Sequence, residues 1–305
     1  MYDLVIIGAG PAGMTAALYA ARSNIKVLLL EQGAPGGQMN NTAEVENYPG
    51  YASIMGPELS MKMYEPLEEL GVENAYGIVQ EIKEAKGVKK VVTEDDIFET
   101  KTVIIATGAR HRKLDIPGEE EYGARGVSYC AVCDGAFFKD KEILVVGGGD
   151  SAVEEAMFLS RFGREVTIVH RRDELRAQKI IQDRAFKDPK IKFIWDSTLE
   201  EINGDDRKVK SVKIKNIKTN ESVEKEVDGI FIYVGLLPET GNFSSLKITD
   251  AEGWILTNEK MQTSSSGIFA IGDVRKKDLR QITTAVADGA IAANEAYKYI
   301  TELED

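Results

Sequence analysis

Two cysteines, Cys130 and Cys133, are the only ones in a chain of 305 residues, and they stand in the hexapeptide Cys-Ala-Val-Cys-Asp-Gly at 130–135. Two intervening residues at the start of a helix bring the sulfurs within disulfide distance, and the helix dipole lowers a thiol pKa so that thiolate is available for exchange. Asp134 follows directly and can supply or remove the proton that dithiol chemistry requires. A metal role fails on ligand number. The two cysteines and two histidines, His111 and His170, are too few and too scattered for a four-cysteine zinc or iron–sulfur site, so no metal is expected.

The elements that must position this dithiol surround it in the sequence. Before it, Gly8-Ala9-Gly10-Pro11-Ala12-Gly13 follows the apolar run Leu4 to Ile7 and precedes a helical stretch, Ala12 to Ala21. In such a fingerprint Gly8 makes the tight turn, Gly10 admits a pyrophosphate, and Gly13 lets helix pack on strand. The helix N-terminus holds the phosphates. Glu31, closing the apolar run Lys26 to Leu30, can accept hydrogen bonds from a ribose diol, as in FAD or NAD. After the dithiol, Gly147-Gly148-Gly149-Asp150-Ser151-Ala152 repeats the pattern, with Gly147 and Gly149 in the turn and Asp150 and Ser151 opening the helix. Here the position equivalent to Glu31 holds His170, Arg171 and Arg172, with Arg176 one turn further on. Guanidinium pairs bidentately with a 2′-phosphate that a carboxylate would repel, so this site prefers NADPH. A dithiol between two nucleotide sites suggests that electrons pass from one nucleotide to the other and out through sulfur. The fold class expected is α/β, with two Rossmann-like dinucleotide-binding domains.

With 43% apolar and 29% charged residues, the chain can build two domains with cores of their own. No run approaches the roughly 18 apolar residues that span a membrane. Met1-Tyr2-Asp3 enters the first strand at once, without a targeting segment, so a cytoplasmic location is expected, where structural disulfides are rare. A net charge of −12 argues against a nucleic-acid partner. Met55, Met61 and Met63 read as core filling, Trp195 and Trp254 as core residues, and 192–227 as a meander of solvated strands.

Further motifs join these in a fixed order: Gly36-Gly37-Gln38, Glu-Asn-Tyr-Pro-Gly at 46–50, Ala-Thr-Gly-Ala at 106–109, and Gly-Ile-Phe-Ala-Ile-Gly-Asp-Val at 267–274. Together with the dithiol hexapeptide and the His-Arg-Arg run, this order closely resembles the low-molecular-weight thioredoxin reductases, from Tyr2 to about Tyr299. The resemblance implies a bilobed chain: an FAD domain at 1–112 and 242–305, with an inserted NADPH domain at 113–241 that carries the dithiol. It implies that Asp273 holds the flavin ribityl chain, that Gln38, Asn47 and Thr107 contact FAD, and that Arg280 and Gln281 contact flavin before the last helix. It gives Cys133 the flavin-facing sulfur, Cys130 the attack on the protein disulfide, and Asp134 the proton transfers. It also implies oxidised thioredoxin or a thioredoxin-like protein as partner, a homodimer, and rotation of one domain against the other about 110–115 and 239–242. Asp150-Ser151 departs from the more usual Asn-Thr and places a carboxylate beside the pyrophosphate. Two readings compete: a ferredoxin-linked flavin thioredoxin reductase, which has no use for the arginines, and a nucleotide-sensing module without catalysis, which needs no vicinal thiols.

Overall fold

Short apolar runs that give way to a helical period at a glycine turn build both halves of the molecule. The computed structural model describes residues 1–42, 44–85 and 87–304, without the side chains of Ala85, Val132, Cys133 and Glu304. The chain divides into two compact units, Met1–Arg110 with Leu237–Asp305, and His111–Leu236.

The first unit opens with β1 (Tyr2–Ile7), α1 (Pro11–Arg22), β2 (Val27–Glu31), α2 (Gly56–Glu69), β3 (Glu73–Tyr76), β4 (Val79–Ala85), β5 (Val88–Thr93) and β6 (Ile97–Ile105), then leaves on β7 (Ala109–His111). β1 lies parallel between β2 and β6, and β3 extends the sheet beyond β2. Leu4 and Ile6 enter one core with Met14, Ala16 and Leu67, while Val5 and Ile7 enter another with Val103 and Ile105. A strand apolar on both faces is what a parallel sheet covered on both sides requires. On α2, Gly56, Leu59, Ser60 and Leu67 form the buried face. Met55 and Met61 fall outside that face and are exposed, which corrects the expectation that they fill the core.

The second unit runs β8 (Val127–Ser128), α3 (Ala131–Asp134), β9 (Glu142–Gly147), α4 (Asp150–Ser160), β10 (Glu165–Val169), α5 (Lys179–Lys187), β11 (Ile191–Ile194), β12 (Ser197–Gly204), β13 (Val209–Asn216), β14 (Ser222–Glu226), β15 (Gly229–Tyr233) and β16 (Leu236–Pro238). Its parallel sheet has the order β11-β10-β9-β15-β8. β9 again alternates between two cores, Ile143 and Val145 on one side, Leu144 and Val146 on the other. The meander β12-β13-β14 is not wholly solvated: Leu199, Ile202, Val209, Val212 and Ile214 turn one face onto the Leu144 side of the sheet.

At the crossings, the Arg112 N–H donates to Gly235 O within the second unit, and the Glu239 N–H donates to Gly108 O within the first, at 2.9 and 3.1 Å. The return adds β17 (Ile268–Ala270) and α6 (Ile282–Glu304). β17 pairs in parallel with Val103–Ile105 of β6, while β5 pairs antiparallel with Ile97–Thr100 of the same strand. α6 lies so close on α1 that a Cβ at Gly289 would stand 2.4 Å from Ala12 O. Each unit is thus a Rossmann-like layer of parallel strands, with a glycine turn leading from a central strand into the covering helix. Among the described residues no helix is long and apolar enough to cross a membrane.

Candidate active site

In the first unit the three glycines of the turn divide their work. Gly8 has φ +107°, and a Cβ there would meet Ala106 O at 2.5 Å, while a Cβ at Gly13 would meet Gly8 O at 1.8 Å. Those two glycines close the turn and seat the helix. A Cβ at Gly10 would touch nothing within 4 Å, so the space beside the N-cap of α1 is open to a ligand. Glu31, at the end of β2, accepts the Ala9 N–H on Oε2 at 2.6 Å and the Gln32 and Gly33 N–H groups on Oε1 at 2.8 and 3.0 Å. Its carboxylate is fixed beside the turn, with lone pairs left over for a diol.

The other expected contacts of this unit are held by chain partners. Gln38 donates to Ala109 O at 3.0 Å, Thr107 to Glu239 O at 2.7 Å, and Asn47 to Gln281 Oε1 at 3.0 Å. Asp273, in the single 3₁₀ turn Gly272–Val274, is different: its Oδ1 is buried with no hydrogen-bond partner among the described residues. Burial pushes its carboxyl above the usual range, against the pull of Lys277 and Arg280. An unpartnered buried carboxylate oxygen is costly unless something fills the place opposite it.

Two supports of that turn carried no legible signal in the sequence. Asp288 on α6 accepts the Gly272 N–H at 3.0 Å and pairs with Arg275 at 2.8 Å and Lys277 at 3.0 Å, which holds the turn from behind. Trp254, expected as a core residue, is instead a platform: the Arg280 guanidinium lies 3.7 Å from its ring centre and donates to Asp273 O at 3.2 Å.

In the second unit a Cβ at Gly147 would meet Tyr233 O at 2.4 Å, whereas one at Gly149, the N-cap of α4, would touch nothing. The basic run that follows β10 lies in an irregular loop, residues 171–178, and α5 begins only at Lys179. The reason is where its backbone donors go. The Arg176 and Ala177 N–H groups both bond Gly148 O, at 2.6 and 3.1 Å, and the Gln178 N–H bonds the Asp150 carboxylate at 2.7 Å. Asp150 also accepts from the Gln178 side chain at 3.0 Å, so its charge is tied to the loop. Ser151 follows it, exposed, in the first turn of α4.

Arg171, Arg172 and Arg176 are all exposed on that loop, none paired with a carboxylate among the described residues. His170 is set apart from them. It is 4% exposed, and its ring packs against Gly148, where a Cβ would stand 2.5 Å away. Burial, then the neighbouring arginines, push its pKa down, so it is a neutral wall of the turn rather than a cation.

The dithiol sits in the same unit, between β8 and β9. Cys130 is half-buried and disulfide-bonded, and its N–H donates to Ser128 Oγ at 3.0 Å. The side chain of Cys133 lies outside the described residues. The helix expected after Cys130 is a single turn, α3, which passes at Gly135 into the 3₁₀ turn Gly135–Phe138. The dipole of so short a helix is small, so the first free N–H groups matter more than the helix itself. Asp134 closes α3, half-buried, its N–H on Cys130 O at 3.2 Å.

On α4, Glu155 was not singled out by any motif. It is 8% exposed, its Oε2 has no partner among the described residues, and burial pushes its pKa up to about 8, with a further push from Glu154. The folded chain therefore keeps a proton between about pH 4.5 and 8 that the unfolded chain has released, so this contribution is full below pH 4.5 and is lost as pH rises through 8. Glu155→Gln should match the parent in urea unfolding at pH 5 and exceed it by roughly 3–5 kcal/mol at pH 9. An equal gap at both pH values would contradict the assignment.

Residues 2–289 match the model of the family described as pyridine nucleotide-disulphide oxidoreductase. The thioredoxin reductase of Listeria innocua is 58% identical over 306 residues, covering 100% of this chain and 96% of its own length, and that of Bacillus subtilis is 54% identical with the same coverage. The crystal structure of Lactococcus lactis thioredoxin reductase, in its FR conformation, superposes with a TM-score of 0.98 at 70% identity, covering 99% of this chain and 100% of that one. The chain belongs to the pyridine nucleotide-disulphide oxidoreductases, among the thioredoxin reductases. The family is named for the pairing found here within one chain: a nucleotide turn and a cysteine disulfide.

Proposed function

We propose that this chain reduces the disulfide of oxidised thioredoxin or a thioredoxin-like protein with NADPH, using FAD and the Cys130–Cys133 pair. The observation that carries the reading is the placement of the disulfide-bonded Cys130 within the same unit as a glycine turn bordered by three arginines that have no carboxylate partner among the described residues. Full-length identity to thioredoxin reductases supports it over the ferredoxin-linked enzyme and the nucleotide sensor.

The first unit fits FAD. Open space at Gly10, Glu31 beside it, and the orphaned buried Oδ1 of Asp273 are what an adenine dinucleotide with a hydroxylated chain would satisfy. Gln38, Asn47, Thr107, Arg280 and Gln281 complete that proposed set. FAD bound there would supply a two-electron carrier between NADPH and the disulfide. In the second unit Gly147, Gly149 and Ser151 receive the NADPH pyrophosphate, and Arg171, Arg172 and Arg176 take the 2′-phosphate. His170 shapes the floor of that turn, and Asp150 holds the arginine loop to it.

Once reduced, the Cys130 thiolate attacks one sulfur of the thioredoxin disulfide, forming a mixed disulfide and releasing a thiolate. Cys133 then attacks the Cys130 sulfur, which re-forms the pair and frees the second thioredoxin thiol. Asp134 exchanges the proton of the resting thiol. Over a cycle NADPH is oxidised to NADP⁺, one disulfide becomes two thiols, and one proton is taken up. We also assign the chain to a cytoplasmic homodimer, with no nucleic-acid, membrane or metal partner.

Asp273→Ala removes the group whose lone oxygen awaits the ribityl chain. The purified variant should carry under about a fifth of the parent's flavin absorbance, with unchanged far-ultraviolet dichroism. Full flavin content would show that Asp273 serves another end.

A further inference from the structure

A carboxylate at the mouth of a turn that receives phosphate needs a reason to be there. Asp150 is the first residue of α4, directly after the N-cap Gly149, beside which a Cβ would touch nothing. Its charge suits the helix end but opposes a bound pyrophosphate. Both of its oxygens are engaged by one residue 28 positions on: Oδ1 accepts the Gln178 N–H at 2.7 Å, and Oδ2 the Gln178 side-chain amide at 3.0 Å. Gln178 is the N-cap of α5, so the clamp fastens the start of one helix to the start of the next, and the arginine loop is the chain that arrives there.

Elsewhere the loop is fastened away from the glycine turn. Near its beginning, Arg172 O accepts the Asp196 N–H at 3.2 Å, and Lys218 pairs with both Asp173 and Asp196, at 3.3 and 3.0 Å. Near its end, Leu175 and Ala177 are buried in the core, and the Gln182 side chain donates to their carbonyls at 3.3 and 2.6 Å. To the turn itself it is tied by Gly148 O, a backbone acceptor, and by the Asp150 side chain. Resting on the proposed function, we infer that Asp150 is a specificity-determining positioning residue: by clamping Gln178 it holds the arginine loop in register with the pyrophosphate turn, and so sets the preference for NADPH over NADH. A loop already in place spends little of the 2′-phosphate's interaction on ordering backbone. NADH offers the arginines no phosphate, so it gains nothing from the clamp.

Asp150→Ala removes both acceptors. Asp150→Asn removes the charge but keeps an oxygen for the Gln178 N–H, and its amide can meet the Gln178 side chain turned over. On the full-length, flavin-loaded protein, KM and kcat are measured with NADPH and with NADH, and the Kd of NADP⁺ by titration calorimetry. Asp150→Ala should raise the NADPH KM and the NADP⁺ Kd about tenfold, with kcat within about twofold of the parent and the NADH KM changed by less than about threefold. Asp150→Asn should keep the preference for NADPH within about threefold of the parent's, which separates the clamp from the charge. In a background of Arg171→Ala, Arg172→Ala and Arg176→Ala, adding Asp150→Ala should leave the preference unchanged, since no guanidinium remains to be positioned. The parent's preference in Asp150→Ala would overturn the inference, as would equal losses with both nucleotides, the same tenfold fall in Asp150→Asn, or a fall that persists without the arginines. A parent indifferent to the 2′-phosphate would overturn the proposed NADPH assignment itself, and the clamp with it.

Discussion

Cys130→Ser is expected to reduce NADPH-dependent thioredoxin reduction by about 10³-fold or more, because the nucleophile has no substitute in a chain with only two cysteines. A serine hydroxyl neither ionises near neutral pH nor forms a disulfide, so both the attack on thioredoxin and the return attack by Cys133 are lost. The residues proposed for nucleotide binding are untouched by the change: the glycine turns, Asp273 and the three arginines lie on other elements. NADPH should therefore still bleach the bound flavin at a rate close to the parent's. Measuring both rates on one preparation separates the two halves of the relay. Retained disulfide reduction would mean that the sulfurs are structural, whereas loss of flavin bleaching as well would mean that the substitution harmed more than the dithiol.

The second large effect is expected in the choice of nucleotide. Arg171 and Arg172 are exposed, without carboxylate partners among the described residues, on a loop whose backbone is pinned to Gly148 and Asp150. Since the pinning uses main-chain groups, truncating the two side chains leaves the loop in place. A hydrogen bond to a charged group contributes about 1.5–3 kcal/mol, so Arg171→Ala with Arg172→Ala should raise the KM for NADPH by about 10²- to 10³-fold. The constants for NADH, which lacks the 2′-phosphate, should change by less than about threefold. Equal loss with both nucleotides would place the arginines elsewhere, on the pyrophosphate or in the fold itself.

Much of this architecture could be read from the chain because its signals are local. Leu4–Ile7 and Ile143–Val146 are continuous apolar runs since each strand is covered on both faces, and the glycines stand where a Cβ would collide with backbone. Gly10 and Gly149 are recognisable by the same spacing although a Cβ there would collide with nothing, which leaves room for the pyrophosphates proposed at those turns. What could not be read depends on partners distant in sequence. Asp288 reaches Gly272 from α6, Arg280 lies on Trp254, and Tyr233 reaches Ala131 from a strand 102 residues further on. The loop at 171–178 is held in the same way, its backbone donors engaged by Gly148 and Asp150. His170 shares the basic run in sequence but not in space, being buried where its neighbours are exposed.

The measurement closest to the central claim is a count of thiols. The full-length protein as purified, with its flavin, is mixed anaerobically with an excess of NADPH, quenched in acid, alkylated and mapped by mass spectrometry. Two alkylated residues, Cys130 and Cys133, are expected in the NADPH sample and none in the sample without nucleotide. A flavin bleached by NADPH over a disulfide that stays closed would contradict it.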